Sequence, residues 1–275
     1  MKLKNIYYSL PLLLVLVFSC AQHKIKATAT LEERMDYGMK LFEKGKYYDA
    51  KTQFRIITLS HSGDVNAAKA QYYLGECHFN MKEYIIAASE YERLIKVYPG
   101  SDWVDDAKYK LGLSYFKLSP KYALDQEYTL KSIAEFQEFL EDYPASPLTE
   151  EVEKDLLLAR RKLAQKVYES AEIYRKMTYY SSAKIYYSKV LEEYYDTSFA
   201  PQALYWLGEC DRRLHMYPEA LETFAEFLKK YPNHEWLAKV RSKIKQTRQE
   251  LEKHRKIQAK LEKSSTSENL GSAAR

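Results

Sequence analysis

The sequence predicts an all-α protein of five stacked helix pairs closed by a C-terminal capping helix. Three observations predict it. Small residues at Gly38, Gly75, Gly112, Ala171 and Gly208 are each followed by a second small residue, at Ala50, Ala87, Ser132, Ala183 and Ala220. That separation is 12 residues in four copies and 20 in the third. An aromatic follows the second small residue by four every time: Phe54, Tyr91, Phe136, Tyr187 and Phe224. Pro99, Pro144 and Pro232 stand eight residues further on, with Ser62 and Tyr195 in the two degenerate copies. A helix-pair unit that recurs at a fixed step stacks into a solenoid, an architecture suited to holding other molecules.

Each element of the unit has a physical reason. In the first helix a bulky apolar residue precedes the small one, as Leu74, Leu111 and Leu207 do. Glycine inside a helix costs about 1 kcal/mol relative to alanine, so its recurrence predicts close backbone approach by the partner helix. The second helix carries small, aromatic and apolar residues at i, i+4 and i+7, the last being Ile57, Leu94, Phe139, Val190 and Phe227. That stripe faces inward. Tyr98-Pro99, Tyr143-Pro144 and Tyr231-Pro232 end three of these helices, because proline cannot continue a helix and restricts its predecessor. The pattern is tetratricopeptide repeat (TPR) grammar with a 37-residue step in the regular copies, and it predicts a right-handed superhelix.

Along the chain, residues 1–19 read as a signal segment. Lys2 and Lys4 give a positive start, and Leu10–Phe18 is apolar apart from Pro11. Nine helical residues span about 14 Å, half of a bilayer's hydrocarbon core, so this is a signal core and not a membrane span. Val17-Phe18-Ser19-Cys20 resembles the bacterial lipoprotein cleavage site, which makes Cys20 the expected lipidation site and the new N-terminus. An ordinary cleaved leader with an incidental cysteine, or an uncleaved leader, is the alternative. Ala21 carries no aspartate-type inner-membrane retention signal, and the resemblance to lipoprotein leaders then implies the outer membrane as destination. Residues 20–30 form a tether, 31–144 an N-terminal half of three units, and 145–233 a C-terminal half of two.

Unit three holds eight extra residues around Ser119–Gln126, an extended loop between its helices. Ser146-Pro147 then predicts an N-cap with proline at the first helical position. No breaker follows before Met177, so the first helix of unit four is expected to be near 30 residues and to bridge the halves. Residues 234–263 read as a capping and basic helix with Trp236, Leu237, Val240, Ile244 and Leu251 on one stripe, and 264–275 as a disordered polar tail.

Composition narrows the function. The net charge of +5 divides into +2 from Lys2 and Lys4, −3 over residues 21–233 and +6 over 234–275, so the solenoid body is not a nucleic-acid binder. The 26 tyrosines suit a solenoid, which has few fully interior sites. Cys77 and Cys210 occupy the same repeat position three units apart, too far for a disulfide, and read as packing residues. No phosphate loop, HExxH, GxSxG or paired CxxC occurs. His23, His61, His78, His215, His234 and His254 lack metal-ligand spacing. The expectation is a protein with no catalytic residues, no metal, no cofactor and no small-molecule substrate.

A ligand is expected on the first helices. The stripe three before, one after and four after the small residue gives Met35, Met39 and Phe42; Tyr72, Glu76 and Phe79; and Tyr109, Leu113 and Phe116 in units one to three. It continues as Tyr168, Glu172 and Arg175, then Tyr205, Glu209 and Arg212. The N-terminal half therefore offers Phe42, Tyr72, Phe79, Tyr109 and Phe116 as an apolar peptide-binding groove. The C-terminal half offers Tyr168, Arg175, Lys176, Tyr205, Arg212 and Arg213 to an acidic partner. The alternative for each tyrosine is that it fills space between successive first helices.

Leader, five units, expanded third unit and long fourth-unit helix together resemble the BamD family, lipoproteins of the outer-membrane β-barrel assembly machinery. The similarity covers residues 10–245. Its most specific parts are Leu124-Asp125-Gln126 leading into Ile133-Ala134-Glu135-Phe136 and Tyr143-Pro144, and Leu163-Ala164 with Tyr168 through Tyr174. The resemblance implies a non-enzymatic subunit on the periplasmic face of the outer membrane. Its C-terminal half would bind the POTRA domains of a BamA-like barrel insertase. Its N-terminal half would take unfolded outer-membrane proteins through an aromatic-ended signal. A general periplasmic TPR adaptor, such as a Tol–Pal or cell-division coordinator, is the competing reading. A scaffold for envelope enzymes or solute uptake is another.

Overall fold

A computed structural model describes residues 25–26 and 28–273; the signal segment and Cys20 lie outside the described residues. The described residues form eleven helices and no strand. Five pairs run α1 (Leu31–Glu43) with α2 (Tyr47–Ser60), α3 (Val65–Asn80) with α4 (Tyr84–Val97), and α5 (Val104–Leu118) with α6 (Glu127–Asp142). They continue as α7 (Thr149–Lys176) with α8 (Tyr180–Glu193) and α9 (Ala200–Arg213) with α10 (Tyr217–Lys230), followed by α11 (Leu237–Ala273). Each helix packs on the next in chain order, and α5 also touches α7. No helix among the described residues is long and apolar enough to cross a membrane.

The repeat frame is the core. Phe54, Tyr91, Phe136, Tyr187 and Phe224 are fully buried, as are the small residues Ala50, Ala87, Ser132, Ala183 and Ala220. The helical glycines answer to those rings. A Cβ on Gly38, Gly75, Gly112 or Gly208 would meet the ring of Phe54, Tyr91, Phe136 or Phe224 at 2.8, 2.6, 2.7 or 2.9 Å. The close approach that glycine permits is thus made by an aromatic face, and not by the partner's backbone. Cys77 and Cys210 are buried free thiols whose pKa burial pushes up to about 12.

The turns inside the units share one device. Seven residues after the small position the backbone is left-handed: Gly45, Lys82, Thr178 and His215 have φ of 70°, 62°, 64° and 63°. The next residue's N–H reaches back to close the helix end, Lys46 to the Leu41 carbonyl and Glu83 to that of His78, both at 2.9 Å. The second helices also stop alike. Tyr98, Tyr143 and Tyr231 before proline have φ near −126° and ψ of 53°, 52° and 60°. His61 and Tyr194, without proline after them, take φ of −136° and −131° and close the same hydrogen bond to the fourth residue back.

Two boundaries differ from expectation. Helix α7 starts at Thr149, with Leu148 at the N-cap and no side-chain cap. Ser146 is drawn elsewhere: its hydroxyl donates to Asp105 at 2.9 Å and accepts the Leu148 N–H at 3.3 Å. The helix has 28 residues, about 42 Å, and no break. Helix α11 runs on to Ala273 through the segment expected to be disordered, where no proline interrupts it.

Candidate functional site

The first helices present a continuous face in which rings and charges alternate. The four tyrosines expected to open its groove are buried instead: Tyr72, Tyr109, Tyr168 and Tyr205 are 8%, 5%, 7% and 1% exposed. Each ring wedges between its own unit's second helix and the start of the next unit. Tyr72 lies 5.9 Å from Tyr91 and 4.9 Å from Trp103; Tyr168 lies 5.7 Å from Tyr187 and 5.3 Å from Phe199. Tyr205 lies 6.0 Å from Phe224 and 5.3 Å from Trp236, and Tyr109 lies 6.2 Å from Phe136. Stacking covers this position with the following unit, and a large ring there excludes water. These tyrosines are spacers.

Phe42, Phe79 and Phe116 remain half-buried on that face. Phe42 meets Tyr47 and Tyr73 edge-on, both at 5.3 Å. The other two carry lysines on their rings: Lys110 is 5.0 Å from the Phe79 centroid and Lys162 is 4.9 Å from that of Phe116. Lys110 also pairs with Glu76 at 3.0 Å. The N-terminal half is therefore aromatic and charged, where the sequence reading expected it to be apolar.

The arginines on the first helices of the C-terminal half are largely neutralised in place. Arg175 pairs with Glu172 at 2.6 Å and lays its guanidinium 3.9 Å over Trp206. Arg212 is buried, bound to Glu209 at 2.6 Å and to Glu250 of α11 at 2.7 Å. Arg213 is exposed yet reaches Glu209 at 3.3 Å, and Lys243 lies 3.5 Å from the same carboxylate. Burial opposes the charge on Glu209, but the hydrogen bond from Arg212 and the surrounding cations hold its carboxyl below the usual range. Arg212 thus docks α11 on unit five and is not open to a partner. Lys176, at the end of α7, is exposed.

A second regularity explains the acids. Where the second-helix aromatic is tyrosine, its hydroxyl donates to the glutamate following the small position, Tyr91 to Glu76 at 2.5 Å and Tyr187 to Glu172. Units with phenylalanine there carry Met39, Leu113 or an arginine-bound Glu209. The signal in the sequence is the pairing of two columns, tyrosine in the second helix with glutamate after the small residue.

The loop of unit three is fastened to α7. Lys162 donates to the Ser119 hydroxyl at 2.7 Å and Lys166 to the Leu124 carbonyl at 2.8 Å. The Gln126 amide donates to the carbonyls of Lys121 and Leu124 at 2.9 and 3.1 Å. Arg160 ties the α8–α9 turn to the same helix through Asp196 at 2.7 Å. No cluster of metal-ligating residues occurs among the described residues.

The sequence model of the YfiO family, described as outer membrane lipoprotein, matches residues 31–218, from the first helix into unit five. The chain belongs to the YfiO family. An outer membrane protein assembly factor BamD from Caulobacter vibrioides is 24% identical over 225 residues, 80% of this chain and 74% of that one. A putative outer membrane protein assembly factor BamD from Aquifex aeolicus is 28% identical over 181 residues, 65% of this chain and 59% of that one. Among solved structures, a TPR repeats protein from Bacteroides fragilis is similar at 17% identity and a TM-score of 0.47, covering 82% of this chain and all of that one. The YfiO match takes in the expanded loop and the whole of α7, the features that set this chain apart from a plain repeat array.

Proposed function

We propose that this chain is a lipid-anchored periplasmic subunit of the machinery that assembles β-barrels in the outer membrane. It binds the POTRA domains of the insertase subunit and segments of unfolded outer-membrane proteins. The observation that carries this is the family match over residues 31–218, joined by relatives named as assembly factors. The row of half-buried Phe42, Phe79 and Phe116 supports an N-terminal site for extended, aromatic-bearing segments. Anchoring runs through Cys20, since several acyl chains hold a protein to a bilayer where a single chain is marginal. Capture from detergent-solubilised membranes tests the assignment: a BamA-like insertase and nascent barrel proteins co-purify, and recovery of Tol–Pal components in their place would overturn it. Cys20→Ser shifts the protein from the membrane to the soluble fraction.

A further inference from the structure

The chain holds the same aromatic cluster twice, and only one copy has its cation. In unit five, Tyr205 and Trp206 of α9 meet Trp236, with Tyr205 at 5.1 Å from Trp206 and 5.3 Å from Trp236. Lys239, three residues after Trp236, sets its ammonium 4.1 Å from both the Tyr205 and Trp236 rings and 5.3 Å from Trp206. An ammonium over converging ring faces is held by their quadrupoles. In unit two the residues at the same repeat positions are Tyr72, Tyr73 and Trp103, mutually 5.5, 4.9 and 5.6 Å apart. At the position of Lys239 stands Asp106.

The exchange removes the internal cation and leaves Tyr73 and Trp103 half-buried beside the spacer Tyr72. Among the described residues no lysine or arginine lies over the rings of Tyr72, Tyr73 or Trp103, and the neighbouring Lys110 is committed to Phe79 and Glu76. The Asp106 carboxylate makes no ion pair among the described residues, and the cation that acts on it, Lys110, is paired with Glu76. Glu76 is answered by Lys110, so the carboxylate left at the edge of the cluster is Asp106, close enough to act on both the Tyr72 and Tyr73 hydroxyls. Three rings and an unanswered carboxylate are what a cationic side chain recognises.

We propose that the Tyr72–Tyr73–Trp103 cluster, with Asp106 at its edge, receives a lysine or arginine side chain of the polypeptide bound along the first helices. This rests on the reading of that face as a binding site for extended segments, and adds that the segment carries a cation beside its aromatics. The substitution that fills the site from within is Asp106→Lys, which copies the unit-five arrangement and so keeps the fold. Asp106→Asn removes the charge and little else.

Binding is measured by fluorescence anisotropy on the full chain in detergent, with extended peptides ending in phenylalanine whose interior lysines are kept or replaced by glutamine. The native chain favours the lysine peptides roughly tenfold. The preference vanishes in Asp106→Lys and shrinks in Asp106→Asn, while the glutamine peptides bind all three alike. Equal binding of both peptide sets by the native chain, or a preference that survives both substitutions, overturns the cation site and leaves the groove standing. No binding by either set overturns the groove and this site with it.

Discussion

At the scale of single residues, the closest contacts in the molecule are between rings and glycines. A methyl on Gly75 would meet Tyr91 at 2.6 Å, and that ring is locked between helices with its hydroxyl on Glu76. Gly75→Ala is expected to cost about 2 kcal/mol, since overpacking a filled core typically costs 1–3. Gly100→Ala, with nothing within 4 Å, should cost far less in the same urea titration. Thr178 is a β-branched residue at φ 64°. Thr178→Gly should therefore gain about 1 kcal/mol, read as a higher urea midpoint. The glycines, the rings and the Tyr-Pro stops were legible because each is a column of like residues. The left-handed turn was hidden, because only Gly45 advertises it while Lys82, Thr178 and His215 adopt it under the grip of the packed helices around them. The buried tyrosines illustrate the same limit: stripe position says which way a side chain points, and not whether the next unit covers it.

At the scale of elements, α11 is held by an ion-pair network as well as by Val240 packed against Leu204, Phe224 and Phe227. Removing one partner of a buried pair strands the other, so Arg212→Ala should cost about 3 kcal/mol. Loss of hydrogen-exchange protection in α11 ahead of α1–α8 would locate the effect. The pH dependence has two limbs. Glu172, Glu209 and Glu250 have lowered folded-state pKa values, so the stability they bring is present above the ordinary glutamate range and lost as pH falls through their folded values. Asp106, Asp155 and Glu135, raised chiefly by burial, act in the opposite sense and gain stability as they protonate. The melting temperature should hold or rise slightly from pH 7 to about 5 and fall below about 4. Glu209→Gln should weaken the acid limb. The length of the unit-three loop could be read from the chain; its fastening by Lys162 and Lys166 could not, because those lysines lie some 40 residues away and bind a hydroxyl and a carbonyl that carry no pairing signature in the sequence.

At the scale of the whole molecule, ten helices form one solenoid whose two halves share α7. Its N-terminal part packs on α6 through Val152, Ala159 and Leu163, and its C-terminal part on α8 through Tyr168 and Ala171. The bridge was foreseeable from an absence of breakers over a long run. The charge balance of the C-terminal face was not, since counting arginines does not reveal which carboxylates answer them.

An unbroken helix shared by both halves also fixes their azimuth. With 3.6 residues per turn, one residue inserted between Lys166 and Tyr168 rotates everything downstream by about 100° and advances it by about 1.5 Å. Such an insertion leaves each half's own packing intact yet turns the first-helix faces of the two halves away from a common side. Partners that must grip both at once would then lose their hold together, while those confined to one half would notice nothing.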